Sequence, residues 1–268
     1  LPSAHQALHC RDIKPHLRLT QPPRRSTAVG RRVCEPLICP APPRSLASFL
    51  ELQESKRGIL AEPDMLILGV GTQVYNRGVS GFEQDEQWSK ELDQGWDLQV
   101  VRDAAYAALA TAGKEAMHFR PPEEQNDHKV TCGVRTDVLQ DVISAIDAKI
   151  SSQKVNVNII SSGQGDWRYL DLVAMKAGKR ESLEYVARSS GFRLDRTVAC
   201  GDSGNDILML AGSSKAIVVG NAQDDLRQWV EDNPWDVSKA DGPARVKVTD
   251  AFEAEGILEG LQYFGFRA

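Results

Sequence analysis

The stretch Thr197-Val-Ala-Cys-Gly-Asp-Ser-Gly-Asn-Asp206, followed by Ile207-Leu-Met-Leu210, decides the fold. A short apolar run ends at Gly201, two carboxylates then stand four residues apart, and apolar residues resume at helical spacing. This order predicts a buried parallel strand, a tight turn and the start of a helix. In open α/β sheets such turns lie at the carboxyl ends of the strands, where ligands bind.

The carboxylates of this turn, Asp202 and Asp206, predict a Mg²⁺ site. Mg²⁺ prefers one or two carboxylates, and water and substrate phosphate complete its coordination. We expect Asp202 to bind the ion directly, and Asp206 to bind it through water or to orient Asp202. Ser203 and Asn205 can donate hydrogen bonds to a phosphate. The alternative is an ordinary loop in which an aspartate caps the following helix.

Composition and charge exclude several classes of protein. The chain has 268 residues, of which 41% are hydrophobic, as expected for one large domain or for a core with a cap. Residues 1–44 contain eight basic and two acidic residues, and the remainder contains 24 basic and 35 acidic residues, a net charge of −11. An acidic body argues against a nucleic-acid partner. An anionic substrate stays compatible, because a metal ion and one or two lysines can reverse the local field.

Apolar runs, cysteines and the N-terminal segment indicate the cellular compartment of the protein. No apolar run approaches ~18 residues, so we predict no membrane-spanning helix and no membrane partner. The five cysteines are scattered and none stands in a zinc-type pair, which fits a reducing compartment and a cytoplasmic location. The segment 1–43 is arginine-rich and acid-poor, as is typical of an organelle transit peptide or of a misread exon.

Apolar runs and helical periodicity alternate along the rest of the chain. The predicted strands cover residues 65–70, 129–134, 155–160, 197–200 and 215–220. The predicted helices cover residues 45–53, 83–112, 137–150, 179–190, 206–211 and 251–264. Strands that alternate with helices predict a parallel α/β sheet. The segment 79–165 has its own helix–strand–helix–strand pattern, which predicts an inserted αβ cap.

The acidic turn and four further segments together resemble the sucrose-phosphate phosphatase family of the haloacid-dehalogenase-like superfamily. Those segments are 65–75, 121–130, 161–163 and Gly178-Lys179, and their order and spacing also fit. The resemblance covers residues 44–268 and leaves 1–43 unmatched. It implies a Rossmann-type parallel sheet core, formed by residues 44–78 and 166–268, with a sugar-binding αβ cap at 79–165.

Lys179 follows Gly178 and opens a helix. The resemblance implies that it is the phosphate-binding lysine of the family. An ammonium group beside two carboxylates and a metal ion would hold the transferring phosphoryl group and offset the charge of the nucleophile. The alternative is an exposed lysine at a helix start. Relatives usually have glycine where Arg180 stands here.

A glycine turn follows the first predicted strand and contains Gly71, Thr72, Gln73 and Tyr75. Such a turn lets backbone N–H groups approach a sugar or phosphate oxygen, and the alternative is a plain β-turn. Relatives usually carry glutamate where Gln73 stands. An amide can still hydrogen-bond a hydroxyl group, but it cannot act as a base.

The predicted cap contains Gln125, Asn126 and Lys129. Amides both donate and accept hydrogen bonds, so two amides and a lysine suit sugar hydroxyl groups. The resemblance implies that this segment holds the glucosyl ring and that closure of the cap excludes water. The alternative is a solvated polar loop, and Asp127 departs from the proline that relatives usually have.

The resemblance implies Mg²⁺-dependent hydrolysis of sucrose 6-phosphate to sucrose and phosphate, the last step of sucrose synthesis. In this family the first aspartate of an Asp-x-Asp pair attacks phosphorus, and the second protonates the leaving oxygen. Before Asp64 the only aspartate in this sequence is Asp12, which has neither a second aspartate at position 14 nor an apolar strand before it. We therefore expect this polypeptide to lack both groups, to be inactive and to be less stable than its relatives.

Two other functions stay open. The first is a non-catalytic module that binds sugar phosphate or docks on a sucrose-phosphate synthase, since related synthases carry phosphatase-like domains without the nucleophile. The second is a phosphatase for another sugar phosphate, for which Gln73, Asp127 and Arg180 leave room. Hydrolysis of several sugar phosphates, measured side by side, separates this second function from the hydrolysis of sucrose 6-phosphate.

Overall fold

Among the described residues, two sheets and their helices form a core, and a third sheet with two helices forms a cap. The computed structural model describes residues 37–42, 44–163, 165–234 and 244–266. Most of the segment 1–43, for which we predicted a transit peptide or a misread exon, lies outside these residues. No helix in the described ranges is long and apolar enough to cross a membrane.

The bounds of the elements are as follows. The strands are β1 Met65–Leu68, β2 Gln73–Arg77, β3 Phe82–Gln84, β4 Met117–Phe119, β5 Lys129–Arg135, β6 Val157–Ser162, β7 Trp167–Ala174, β8 Val198–Gly201, β9 Lys215–Val218 and β10 Val246–Val248. The helices are α1 Leu46–Ser55, α2 Glu86–Leu92, α3 Leu98–Ala112, α4 Leu139–Ser151, α5 Lys179–Ser189, α6 Ile207–Leu210, α7 Asp224–Asp232 and α8 Glu253–Tyr263.

The core contains a parallel sheet in the order β10-β9-β8 and an antiparallel sheet in the order β1-β2-β3. Helices α6 and α7 separate the three strands of the parallel sheet, which confirms the predicted α/β class. The strands β2 and β3 were not predicted, because a hairpin of short, partly polar strands gives little periodicity.

The first strand, β1, is buried along its whole length because all its residues are apolar. Ile67 N donates to Pro40 O (3.0 Å) and Gly69 N donates to Arg44 O (3.2 Å), so the segment before α1 runs parallel to β1. The strand was predicted to reach Val70 but ends earlier, since Val70 has a left-handed φ of 63°. A left-handed residue cannot continue a strand.

The cap is the antiparallel sheet β4-β5-β7-β6 with α3 and α4 packed on one face. Its central strand β7 was not predicted, and it places residues 167–174 in the cap. The expected end of the cap at 165 is therefore too early. The expected start at 79 is also too early, because β3 pairs with β2 and α2 packs against the core.

One long helix was predicted over residues 83–112, but the structure has α2 and α3 with a break between them. Gly95 lies in the break with a left-handed φ of 77°. Asp97 then caps α3 by accepting hydrogen bonds from Gln99 N (2.9 Å) and Val100 N (3.1 Å). A left-handed glycine followed by an aspartate cap ends one helix and begins another.

The buried thiol of Cys132 in β5 should make the cap sensitive to alkaline pH. Burial, with a smaller effect of the Asp171 charge, raises the pKa of this thiol from 9.0 to about 12. Because the unfolded thiol ionises first, stability is complete below pH 9 and is lost as the pH rises towards 12. Between pH 8 and pH 10.5 the wild type should lose about 2 kcal/mol more unfolding free energy than Cys132→Ala. Urea unfolding at both pH values checks this, and equal losses would contradict it.

Candidate active site

The acidic turn has the predicted strand–turn–helix form. After β8 the chain makes one 3₁₀ turn, Gly204–Asp206, and α6 begins at the next residue. Ser203 and Asp206 form a capping box, in which each side chain accepts a hydrogen bond from the other's backbone N–H. Asp206 Oδ2 also accepts from Asp202 N (3.1 Å), so Asp206 fixes the backbone that carries Asp202.

Lys179 is brought to this turn by α5, of which it is the first residue. Its Nζ donates to Asp206 Oδ1 (2.7 Å) and to Asn205 Oδ1 (2.7 Å). The side chains of Lys179 and Asp206 are only 8% and 1% exposed, so this ion pair is buried. The structure thus brings together the phosphate-binding candidates, and Lys179 is not the exposed lysine of the alternative interpretation.

The described residues fit Mg²⁺ if Asp202 is the one carboxylate that binds the ion directly. Both oxygens of Asp206 are engaged, one by Lys179 and one by backbone N–H groups. No group of three or more His, Cys, Asp or Glu side chains in the described ranges could hold a metal ion. Asp202 is half-buried, and burial and then the Asp206 charge raise its pKa against the opposing effect of Lys179. A cation would stabilise that carboxylate, and Mg²⁺ accepts one carboxylate when water and phosphate supply the other oxygens.

The glycine turn after β1 is held in an unusual backbone conformation. Gly69, Val70 and Gly71 all have left-handed φ angles, of 58°, 63° and 83°. Thr72 is fully buried, and its hydroxyl donates to Gly69 O (2.8 Å). A Cβ atom on Gly71 would overlap the carbonyl oxygen of Gly178, so the turn packs directly on the start of α5. The turn therefore lies next to Lys179, and it is not a plain β-turn.

The cap meets this turn through Asn126. Asn126 Nδ2 donates to Thr72 Oγ1 (2.8 Å), and Asn126 Oδ1 accepts from His128 N (2.9 Å). Beside this contact, Gln73 Nε2 donates to the hydroxyl of Tyr75 (3.2 Å). Tyr75 is buried, and burial raises its pKa. These sugar-binding candidates therefore lie together at the junction of core and cap.

Gln125 and Lys129 bind protein atoms in this structure. Gln125 Oε1 accepts from Thr131 N (2.8 Å), and its Nε2 donates to Arg120 O (2.9 Å) and Thr131 O (2.8 Å). Lys129 is buried, with its Nζ 3.4 Å from Asp171 Oδ1. The expected role of both residues in binding sugar hydroxyl groups stays a prediction.

The family profile for sucrose-6F-phosphate phosphohydrolase matches residues 29–265. The chain belongs to this family. The match begins before residue 44, so residues 29–43 are part of the phosphohydrolase match and the boundary inferred from the sequence was too late.

Two relatives illustrate the relationship within the phosphohydrolase family. Sucrose-phosphatase 1 of Nicotiana tabacum is 30% identical over 225 residues, which are 82% of this chain and 48% of the relative. The chain thus spans about half the length of the curated sucrose-phosphatases that it matches. The sucrose-phosphatase of Synechocystis, solved with sucrose and phosphate, is 27% identical with a TM-score of 0.67, over 87% of this chain and 86% of that one.

The haloacid-dehalogenase-like fold is supported by a more distant structure. A haloacid dehalogenase-like hydrolase from Bacillus subtilis is 17% identical with a TM-score of 0.58, over 87% of this chain and 79% of that one. The core sheet with its inserted cap is thus the fold predicted from the sequence.

Two residues of the candidate site were missed by sequence reasoning. Asp171 is the partner of Lys129, and a lone carboxylate within an apolar strand signals a paired buried charge. Trp88 Nε1 donates to Gly71 O (3.1 Å), and no sequence signal indicates that contact.

Proposed function

We propose that this chain binds sucrose 6-phosphate between its core and its cap, and that the protein to which it belongs hydrolyses this ester to sucrose and phosphate. The contact between Gly71 and Gly178 carries the proposal, because it joins the two groups of candidate residues. Membership of the sucrose-6F-phosphate phosphohydrolase family supports the choice of substrate.

In this proposal the phosphoryl group lies at the start of α5. Lys179 would donate to a phosphoryl oxygen and offset its charge, while Ser203 and Asn205 would donate further hydrogen bonds. Asp202 would hold Mg²⁺, which supplies charge neutralisation at the phosphoryl oxygens when it is bound. Asp206 would keep Asp202 and Lys179 in position through the contacts described above.

The sugar would lie against the turn after β1. Gln73 and Asn126 present amides at the junction of core and cap, and Thr72 holds Asn126 in place. A cap that closes through the Asn126–Thr72 contact would enclose the sugar and exclude water from the phosphoryl group. A role for Gln125 and Lys129 requires these side chains to exchange protein partners for sugar hydroxyl groups.

The competing function is a non-catalytic module that binds sugar phosphate or docks on a sucrose-phosphate synthase. That function needs no nucleophile, and within residues 1–63 Asp12 is the only aspartate and has no second aspartate two positions later. In that case the chain binds sucrose 6-phosphate but releases no phosphate. A cytoplasmic location stays a prediction for both functions.

Calorimetric titration and a phosphate-release assay test the proposal together. We expect sucrose 6-phosphate to bind about tenfold more tightly than inorganic phosphate, since one or two additional hydrogen bonds are worth about 1.4 kcal/mol. Mg²⁺-dependent release of phosphate that Asp202→Ala abolishes would establish hydrolysis. Binding without release would establish the non-catalytic module. Tighter binding of a different sugar phosphate would overturn the choice of substrate.

A further inference from the structure

The turn after β1 contains a costly backbone conformation. Val70 is β-branched, and its φ of 63° lies in the left-handed region that such residues rarely occupy. Strain of this kind persists only where the surrounding structure holds it. The contacts that hold the turn therefore decide whether Thr72 and Gln73 stay in position.

One of these contacts comes from the helix that leads into the cap. Trp88 lies in α2, is 2% exposed, and donates through Nε1 to the carbonyl oxygen of Gly71 at 3.1 Å. The ring of Trp88 also packs on Tyr185 of α5, with ring centroids 4.8 Å apart. The same side chain thus contacts the strained turn and the helix that begins with Lys179.

The helix α2 is itself fixed by Asp85. This carboxylate accepts hydrogen bonds from Trp88 N (3.0 Å), Tyr185 Oη (2.8 Å) and Asn76 Nδ2 (3.1 Å). Burial acts to raise the pKa of Asp85, but these hydrogen bonds outweigh it and the pKa is lowered. Asp85 therefore stays ionised and keeps the indole of Trp88 directed at the turn.

We propose that Trp88 is a positioning residue, which holds the Gly69–Gly71 turn in its strained form so that Thr72 keeps Asn126 in place and Gln73 and Asn126 can bind the sugar. The identity of the ligand in this inference, sucrose 6-phosphate, rests on the proposed function. The structural part, that the indole N–H stabilises the left-handed turn, stands independently of the ligand.

The first test uses Trp88→Phe, which keeps an aromatic ring and removes the indole N–H. Loss of one hydrogen bond should weaken the binding of sucrose 6-phosphate about tenfold. The affinity for inorganic phosphate should change less than about twofold, because Lys179 keeps its own partners. Trp229→Phe, which alters a ring in the cluster around β8–β10, is the matched control and should change neither affinity.

The second test asks whether strain is what Trp88 opposes. Asparagine tolerates left-handed φ angles far better than valine. Adding Val70→Asn to Trp88→Phe should therefore recover most of the lost affinity for sucrose 6-phosphate. An equal loss for both ligands, with no recovery, would mean that Trp88 only stabilises the fold, and it would overturn the inference.

Hydrogen exchange separates this inference from the proposed function. In Trp88→Phe, backbone amides of residues 69–73 should exchange about tenfold faster, and Val70→Asn should slow them again. Unchanged exchange would overturn the inference. A wild-type chain that binds neither sucrose 6-phosphate nor phosphate would overturn the proposed function, while the exchange result still decides the role of Trp88.

Discussion

Replacing Lys179 with methionine should lower the free energy of unfolding by about 3–5 kcal/mol, because it leaves a buried carboxylate without its counter-ion. Asp206 is 1% exposed, and the ammonium group of Lys179 lies 2.7 Å from its Oδ1. The other oxygen, Oδ2, accepts hydrogen bonds from backbone N–H groups, which cannot replace a positive charge. Chemical denaturation at neutral pH measures the loss.

The same substitution should abolish the binding of inorganic phosphate, since it removes the ammonium group that α5 places beside the acidic turn. Adding Asp206→Asn should recover part of the stability but none of the phosphate affinity. Lys176→Met removes a nearby exposed lysine and should change stability by no more than about 0.5 kcal/mol. If Lys179→Met were as stable as the wild type and still bound phosphate, both predictions would be contradicted. The ion pair with Asp206 would not stabilise the fold, and Lys179 would not bind phosphate.

The acidic turn could be predicted because everything that shapes it is local. An apolar run, a glycine and two carboxylates at fixed spacing specify a strand, a turn and a helix start without help from distant residues. The structure has these elements within one or two residues of the prediction. The position of Lys179 beside the turn was implied only by the family resemblance. More than 20 residues separate Lys179 from the turn, so spacing in the sequence does not predict that they meet.

The contacts of the cap residues could not be predicted, because they depend on register between distant strands. Thr131 stands opposite Asp171 only because β5 and β7 pair antiparallel in one register. Thr131 Oγ1 donates to Asp171 Oδ1 (2.7 Å), and Lys129 lies on the same face. Side chains on one strand alternate between the two faces of the sheet. A shift of the β5–β7 register by one residue would therefore move every side chain of the shifted strand to the opposite face.

Asp171→Asn should lower the free energy of unfolding by about 3 kcal/mol, because it leaves the ammonium group of Lys129 buried and unpaired. Lys129 and Asp171 are each 5% exposed. Asparagine keeps the shape of aspartate and can still accept the hydrogen bond from Thr131. The loss therefore reports the charge of the pair. Asp166→Asn, an exposed aspartate just before β7, is the control and should change stability by no more than about 0.5 kcal/mol.

The double variant Lys129→Met/Asp171→Leu tests whether the ion pair of Lys129 and Asp171 takes part in sugar binding. A buried ion pair replaced by apolar side chains often costs nothing, and can gain about 1–4 kcal/mol, because the desolvation penalty disappears. Asp171→Leu also removes the acceptor of the Thr131 hydroxyl, which can still donate to Glu124 O (3.4 Å). We therefore expect the double variant to be more stable than Asp171→Asn. If Lys129 binds the sugar, that variant should nevertheless lose affinity for sucrose 6-phosphate while keeping its affinity for inorganic phosphate. A double variant that binds the ester normally would mean that the pair takes no part in sugar binding, and the sugar would then depend on Asn126 and Gln73.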